Sequence, residues 1–325
     1  MSKQDNFKNE SDSSPWHSGE RILQKVAGVA DRMAATGQKV LRPYMPDQHR
    51  NFYMQLPFIL AGIIDDANRP WATFLTGSPG FIKSPTSQLL SVKALPGTDD
   101  PAYASFRKGA SAGLLGIELH TRRRNRANGV ISDITPDGFY MSVQQTMGNC
   151  PKYIQLRNYE FAEAGKVSEP AEAELYEAND LHVKSIIEQS DTFFVATYAD
   201  TTGGRTADVS HRGGKPGFVR VDSDGTLTIP DFSGNMFFNT LGNILVSRKA
   251  GLIFPDFESG DVLQLSGEAD VISEGPEIAQ FKGAERIWKV IPDIVFFRRK
   301  TLPFRWQFRE LSPHLRKTGS WTASD

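Results

Sequence analysis

The chain has 325 residues, 37 of them basic and 38 acidic, so its formal net charge is −1. This length suits one large or two medium domains, and the balanced charge provides no overall attraction to nucleic acid or an anionic membrane. The single cysteine, Cys150, excludes an intrachain disulfide and fits a reducing compartment. The first residues do not form a signal peptide, and no apolar run approaches the roughly 20 residues of a membrane span. We expect a cytoplasmic protein.

The N-terminal region predicts a tail followed by helices. Residues 1–14 carry no large aliphatic side chain and are expected to be disordered. A helix capped by Ser18 and ended by Gly37 follows, because apolar residues recur every three or four positions. That apolar stripe consists of Ile22, Val26, Val29 and Met33. A short helix from near Asp47 should lead into a buried strand at 56–65.

An internal repeat dominates the organisation of the chain. Four landmarks recur in the same order at offsets of 136–138 residues. They are RPWA and RTAD (69–72 and 205–208), PGFI and PGFV (79–82 and 216–219), GLL and GLI (113–115 and 251–253), and Gly129 with Gly267. A strand-rich unit therefore occurs twice, at about 45–157 and 185–311.

Each unit contains short strands separated by turn signals, which indicates a sandwich or a barrel. One helix should interrupt each unit, at about 99–107 in the first and 235–246 in the second. The connector at 158–184 is rich in Glu and Ala and predicts a short helix, with another helix at 180–189. The predicted fold class is mostly β (α+β).

The second unit contains a segment suited to phosphate. Ser210, His211 and Arg212 combine a hydroxyl, an imidazole and a guanidinium, and Gly213 and Gly214 let backbone N–H groups approach a ligand. The alternative is a tight polar hairpin with a surface arginine.

Two further segments carry polar groups. If a helix starts near Gly234, its free N–H groups form an anion site, with Asn239 and Asn243 on one face; a capped surface helix is the alternative. In the first unit, Asn149 and Lys152 could bind polar ring edges. Cys150 could be a nucleophile, but packing is the favoured interpretation.

The charged run at 120–126 is the strongest basic cluster, since it contains Arg122, Arg123, Arg124 and Arg126. On a strand, Arg122, Arg124 and Arg126 would share one face. That face is either solvated or recognises phosphate or carboxylate, and nucleic-acid binding lacks the interleaved aromatic residues it needs. The six histidines are scattered, so no metal site is predicted.

Several of these stretches resemble the pyridoxamine 5′-phosphate oxidase-like FMN-binding split-barrel family, especially its tandem-barrel members. They include ADVSHRGGKPGFVRV (207–221), TLTIPDFSGNMFFNTLGNIL (226–245) and GNCPKYIQLR (148–157). The resemblance spans about residues 14–321. It implies two tandem split β-barrels that face each other as a pseudo-dimer, with peripheral helices. The corresponding domains are an N-terminal helix and first barrel at 15–157, a connector at 158–184, and a second barrel at 185–325.

The resemblance also implies a single FMN site made by both units. The second unit would contribute Ser210, His211, Arg212, Pro216, Val219, Asn235, Asn239 and Asn243. The first unit would contribute Asn149, Cys150, Pro151 and Lys152. The reciprocal site would use residues 73–81 and 296–300, which depart from the pattern, so we expect at most one flavin per chain.

The implied function is an FMN-dependent oxidoreductase that acts on a small molecule, with NAD(P)H or a separate reductase as electron donor. The alternative is a non-catalytic flavin- or haem-binding module. No catalytic acid or base can be named. No membrane or nucleic-acid partner is expected, and the family often forms homodimers.

Overall fold

The computed structural model describes residues 14–162 and 172–321. In these ranges the chain is mostly β, as predicted, with two large antiparallel sheets and five α-helices. The predicted tail lies almost wholly outside the described residues, and so does the centre of the connector. Within these ranges, no helix combines the length and the apolar character needed to cross a membrane.

The element bounds follow the repeat. The α-helices are α1 Ser18–Val26, α2 Ala30–Val40, α3 Asp47–Met54, α4 Leu181–Gln189 and α5 Asn239–Ser247. The first sheet contains β1 Phe58–Ile64, β2 Pro70–Thr76, β3 Ile82–Thr86, β4 Leu89–Val92, β5 Ser111–Glu118, β6 Arg123–Thr135 and β7 Gly138–Gly148. Between the two sheets in chain order lie β8 Leu156–Phe161 and β9 Glu174–Tyr176. The second sheet contains β10 Thr192–Thr201, β11 Gly204–Gly213, β12 Arg220–Val221, β13 Leu227–Phe232, β14 Lys249–Pro255, β15 Val262–Ile272 and β16 Ala284–Arg298, and β17 Phe304–Glu310 follows.

The two large sheets have the same strand order. It is β2-β1-β5-β6-β7-β4-β3 in the first and β11-β10-β14-β15-β16-β13-β12 in the second, so every strand of the first sheet has a counterpart. The short strand β9 adds to β16, and β8 pairs with β17 in a separate two-stranded sheet. The repeat seen in the sequence is therefore a repeat of topology.

Two glycines hold the sheets close together through reciprocal contacts. A Cβ on Gly113 in β5 would lie 2.7 Å from Cα of Asp208 in β11, and one on Gly251 in β14 would lie 1.8 Å from the carbonyl oxygen of Pro70 in β2. Each glycine thus lets its strand approach the opposite sheet at an equivalent place. Around these contacts lies an apolar layer between the sheets that includes Phe74 and Phe194, whose rings meet edge to face.

The N-terminal helix differs from its prediction. It is broken into α1 and α2 around Gly28, which has a φ of +66°. His17, rather than Ser18, caps α1, in a capping box with Glu20. Ile22 and Val26 are exposed, because α1 instead buries the face that carries Gly19, Glu20, Leu23 and Gln24. Gly37 does not end α2, which continues to Val40.

Other helix predictions had mixed outcomes. The helix near Asp47, the helix at 180–189 and the buried strand at 56–65 are confirmed as α3, α4 and β1. The predicted helix at 99–107 is wrong, because only a single 3₁₀ turn forms there, at Tyr103–Ser105. The helix predicted from 235 begins later, at Asn239. Phe238 precedes it in a left-handed conformation, with a φ of +62°.

Replacement of Gly251 by alanine tests the close approach of the sheets. The added methyl group would collide with backbone of β2 that cannot swing away, so we expect Gly251→Ala to lower the free energy of unfolding by about 1–3 kcal/mol. Urea denaturation measures this loss. Gly203→Ala in an open turn is the matched control, and an equal loss in both variants would contradict the proposed contact.

Candidate functional site

A polar cavity of about 120 Å³ lies where the two units meet. The first unit contributes residues from β6 and from the segment that follows β7. The second contributes the end of β11, the end of β13, the segment 234–238 and the first turn of α5. The charged side chains that line the cavity are Arg124, Arg126, Lys152, Arg212, Asp231 and Arg286. Five of these six groups are cationic.

Alternation along β6 directs two arginines into this cavity. Arg124 donates from Nε to the carbonyl oxygen of Cys150 at 2.7 Å, and Arg126 donates to Asp208 at 2.9 Å and to the Ser210 hydroxyl. Arg123 points elsewhere and lies over the ring of Phe52. The prediction that alternate arginines share a face is confirmed for Arg124 and Arg126 but is wrong for Arg122, which precedes β6 with a φ of +59° and donates to the carbonyl oxygen of Ile154.

The second unit faces these arginines with paired groups. Arg212 donates to Asp231 at 2.7 Å, and Arg286 donates to the other carboxylate oxygen of Asp231 at 3.0 Å. The Nε of Arg212 is buried and has no hydrogen-bond partner among the described residues. Asp231 therefore binds both guanidinium groups, Arg286 also binds Glu285, and the Nε of Arg212 remains available to a ligand.

The first turn of α5 adds backbone donors. Asn239, Thr240 and Leu241 line the cavity. The first backbone hydrogen bond of this turn is donated by the N–H of Gly242 to the carbonyl oxygen of Phe238. The N–H groups of a first helical turn have no intrahelical acceptor and favour an anion. The helix thus starts at Asn239 rather than near Gly234, and the anion site predicted at its start stays a prediction.

The electrostatics of the cavity favour an anionic ligand. Burial, with the nearby Arg126 and Arg212, lowers the pKa of Arg124 to about 9, so this guanidinium remains protonated at neutral pH. Neither Arg124 nor Lys152 has a carboxylate partner among the described residues. Burial also lowers the pKa of His211 well below its ordinary value, so this imidazole is neutral and adds no charge.

The structure brings together most of the residues predicted for the site. The cavity is lined by Ser210, His211, Arg212, Asn235, Asn239, Asn149, Cys150 and Lys152. Four predicted residues do not line it. Pro151 and Pro216 are exposed, Val219 is buried in the core of the second unit, and Asn243 faces a different cavity. Whether any of these residues binds FMN stays a prediction.

Sequence reasoning did not assign Asp231, Arg286 or Tyr153 to the site. Tyr153 and Lys152 both reach the carbonyl oxygen of Ser233, which ties the first unit to the segment over the cavity. For Asp231 and Tyr153, the only signal was their position beside assigned motifs. Arg286 comes from β16, far along the chain, and nothing in its local sequence marked it.

At the reciprocal position in the repeat, the polar groups that line a cavity of about 140 Å³ are paired within the chain. When Gly113 is equated with Gly251, the strand registers equate Ser210 with Thr73, Arg126 with Gln264, and Asn149 with Arg298.

At this second position, two aspartates bind the polar groups. Arg298 donates to Asp100 at 2.7 Å and to Asp99 at 2.8 Å, and both Thr73 and Gln264 also donate to Asp100. Arg298 and Asp100 are almost fully buried. Carboxylates from the segment after β4 thus compensate Arg298 here, whereas Arg124 of the first cavity has only carbonyl partners among the described residues.

A buried carboxyl group lies beside the first cavity. Glu20 of α1 accepts hydrogen bonds from the backbone N–H of His17 and from the amide of Asn239. Burial raises the pKa of Glu20 to about 8, with a smaller contribution from Asp208, so the group is protonated at neutral pH. Asn239 links it to Arg126, whose Nη1 lies 3.0 Å from the Asn239 amide oxygen.

The protonated state of Glu20 predicts a pH-dependent stability. The folded protein binds a proton that the unfolded chain has released above about pH 4.5, so stability should fall as pH rises from about 4.5 to 8. Glu20→Gln should flatten the dependence of the unfolding free energy on pH between about 5 and 8 by roughly 1–4 kcal/mol. Urea denaturation at several pH values measures this; exposed Glu177→Gln is the control. An unchanged slope in Glu20→Gln would show that the carboxyl is ionised in the folded protein.

Asp99 and Asp100, which bind Arg298 at the reciprocal position, lead to a prediction about stability. Asp100→Asn leaves buried Arg298 with only part of its compensation, so the free energy of unfolding should fall by about 2–4 kcal/mol. Asp66→Asn, which breaks an exposed pair with Arg107, should change stability little. Chemical denaturation of both variants measures the two changes in unfolding free energy. Similar changes would mean that Asp100 contributes no more than a surface ion pair.

No protein-family model and no curated protein sequence matches the chain. Solved structures resemble parts of it. HupZ from Group A Streptococcus aligns over 36% of this chain and 92% of its own, at 17% identity and a TM-score of 0.29. A candidate pyridoxamine 5′-phosphate oxidase from Lactobacillus delbrueckii aligns over 33% and 95%, at 13% and 0.26. A candidate 5-nitroimidazole antibiotic resistance protein from Bacteroides thetaiotaomicron aligns over 44% and 94%, at 16% and 0.29. Scores this low assign no function to the chain.

Proposed function

We propose that the cavity between the two units binds the phosphate-bearing cofactor FMN, and that the protein is an FMN-dependent oxidoreductase for a small molecule. The observation that carries this proposal is the excess of positive charge in a partly buried cavity. Arg124 and Lys152 face the cavity with no carboxylate partner among the described residues, beside the first-turn N–H groups of α5. Cations that are partly withdrawn from water are costly unless a ligand provides the counter-charge.

The donor set suits a phosphate better than a neutral ligand. Guanidinium groups form charge-assisted hydrogen bonds with phosphate oxygens, and a helix N-terminus adds backbone donors. Arg124 and the first turn of α5 come from different units, so only the assembled pair of units provides the full set. This supports one flavin per chain, since Asp99 and Asp100 already neutralise the reciprocal position.

The cavity volume constrains how FMN would enter. Its 120 Å³ is below the ~300–1,000 Å³ of sites that enclose a whole drug-sized ligand. The cavity therefore does not enclose the whole of FMN. We expect the segment 233–238 to shift for the remainder, because Met236 and Phe238 hold left-handed φ values of +63° and +62° that cost energy in non-glycine residues.

The chain's own residues would position and tune the cofactor. Lys152 lies at the cavity and could stabilise negative charge on a ring edge by electrostatic preorganisation. Bound FMN would supply hydride or electron chemistry, with NAD(P)H or a separate reductase as donor. The neutral His211 is buried at the same cavity, where neither ring nitrogen has a hydrogen-bond partner among the described residues.

That orphaned imidazole also supports a second candidate, a non-catalytic flavin- or haem-binding module. A neutral histidine is a common ligand of haem iron. The absorbance spectrum of the purified protein separates the two cofactors, because flavin and haem absorb in different bands. NAD(P)H oxidation by the flavin-loaded protein then separates an enzyme from a binding module.

Arg124 provides the sharpest test of the flavin site. Arg124→Met should weaken FMN binding by about ten-fold or more, the loss expected for a charge-assisted hydrogen bond. The same change should leave the ligand-free protein at least as stable, because it removes an uncompensated buried charge. Fluorescence titration with FMN measures affinity and stoichiometry, with urea denaturation alongside.

Arg122→Met is the matched control, since Arg122 belongs to the same basic run but bonds Glu310 and the Ile154 carbonyl outside the cavity. We expect saturation at one FMN per chain in the wild type and in this control. Unchanged affinity in Arg124→Met, or saturation at two FMN per chain, would refute the proposed site.

A further inference from the structure

A second, larger cavity lies on the other side of Asn239. It encloses about 350 Å³, within the size range of small-molecule sites. Its walls come from the N-terminal segment before α1, from β6 and β7 of the first unit, and from β11 and α5 of the second. It shares only Asn239 with the cationic cavity.

This second cavity is rich in unused hydrogen-bonding groups. The exposed Gln144 and the half-buried Gln145 make no side-chain hydrogen bond to the described residues, and the amide oxygen of Asn128 is buried without a partner among them. Ser111 accepts a bond from the N–H of Ala207, which leaves its own proton to donate. Three amides and a hydroxyl thus offer both donors and acceptors to a ligand.

The cavity presents almost no charge. None of its described lining residues is Lys or Arg. Its two carboxyl groups are already engaged, because Asp208 pairs with Arg126 and Glu20 holds two hydrogen bonds and is protonated at neutral pH. His17 is also neutral, since burial lowers its pKa and its Nε2 meets the Asn243 amide oxygen. An ionic ligand would find no counter-charge here.

We infer that this cavity is a binding site for an uncharged small molecule that carries several hydroxyl groups, of the size of a monosaccharide or cyclitol. Side-chain amides and hydroxyls match alternating donors and acceptors, which such molecules present in all directions. A buried amide without a partner is costly, and a ligand hydroxyl would satisfy it. This site is distinct from the anion cavity and does not depend on FMN.

Asn239 would couple the two cavities. Its Nδ2 donates to Glu20, which lines the second cavity, and its Oδ1 accepts from Arg126, which lines the first. A ligand that moves this amide in one cavity would change affinity in the other, and the effect must be reciprocal.

The test uses D-glucose and myo-inositol as neutral probes on the full chain, with methylammonium and inorganic phosphate as charged comparisons. We expect a neutral probe to saturate at concentrations up to about 100 mM and to shift the side-chain amide resonances of Gln145 and Asn128 in nuclear magnetic resonance spectra. Gln145→Leu should weaken that binding at least about five-fold, the loss of a hydrogen bond. Gln307→Leu, at an exposed position on β17, is the matched control and should bind as the wild type does.

Two results would overturn the inference. One is the absence of saturable binding by either neutral probe to the wild-type protein, which needs no variant and so does not depend on how Gln145→Leu folds. The other is binding of methylammonium or phosphate that Gln145→Leu weakens while the neutral probes leave the amide resonances unmoved. Loss of FMN binding in Arg124→Met bears on the first cavity alone, so the two proposals can fail separately.

Discussion

The structure depends on how closely the two sheets approach each other. Gly113 and Gly251 occupy equivalent strands, and each allows contact with backbone of the opposite unit that a Cβ would prevent. Because the strand registers are fixed by the same topology, this approach sets β6 against β11. Arg126 then reaches Asp208 and Ser210, and the cationic cavity forms along that seam.

The same frame carries opposite electrostatics at its two equivalent positions. At one, Arg298 is neutralised by Asp99 and Asp100 of its own chain. At the other, Arg124 has only carbonyl partners among the described residues. A buried cation requires a counter-charge, so a folded chain that provides one internally has no need of a ligand there. The two units therefore share one strand order and differ in where their carboxylates lie.

The sequence predicted the features that depend on periodicity and repetition. The duplicated landmarks gave the equivalent strands, and alternation along residues 122–126 placed Arg124 and Arg126 on one face. The facing segments around Asn149 and Ser210 do meet in one cavity. These features are local or repeat themselves, so a single sequence carries the signal for them.

Features that depend on distant partners were missed. Apolar spacing suggested one N-terminal helix, but packing of Gly19 against Gly242 selects a different face of α1 and exposes Ile22 and Val26. No motif marks Asp231 as the shared partner of Arg212 and Arg286, which lies more than fifty residues away. Pairings of this kind are fixed only by the fold, so the sequence could name the arginines but not their charge balance.

The boundary between the two cavities explains why they differ so sharply. Arg126 and Asp208 neutralise each other. The uncharged side chain of Asn239 links Arg126 to Glu20 through two hydrogen bonds. Positive charge therefore remains on one side, and the carboxyl on the other side stays protonated because the effect of burial on its pKa outweighs the opposing effect of Arg126. Charge that is separated in this way inside a protein interacts strongly across a short distance, since little water screens it. An anion bound in the first cavity would weaken the electrostatic attraction of Arg126 for Glu20. Its binding would therefore change the electrostatics of the second cavity even if no residue moved.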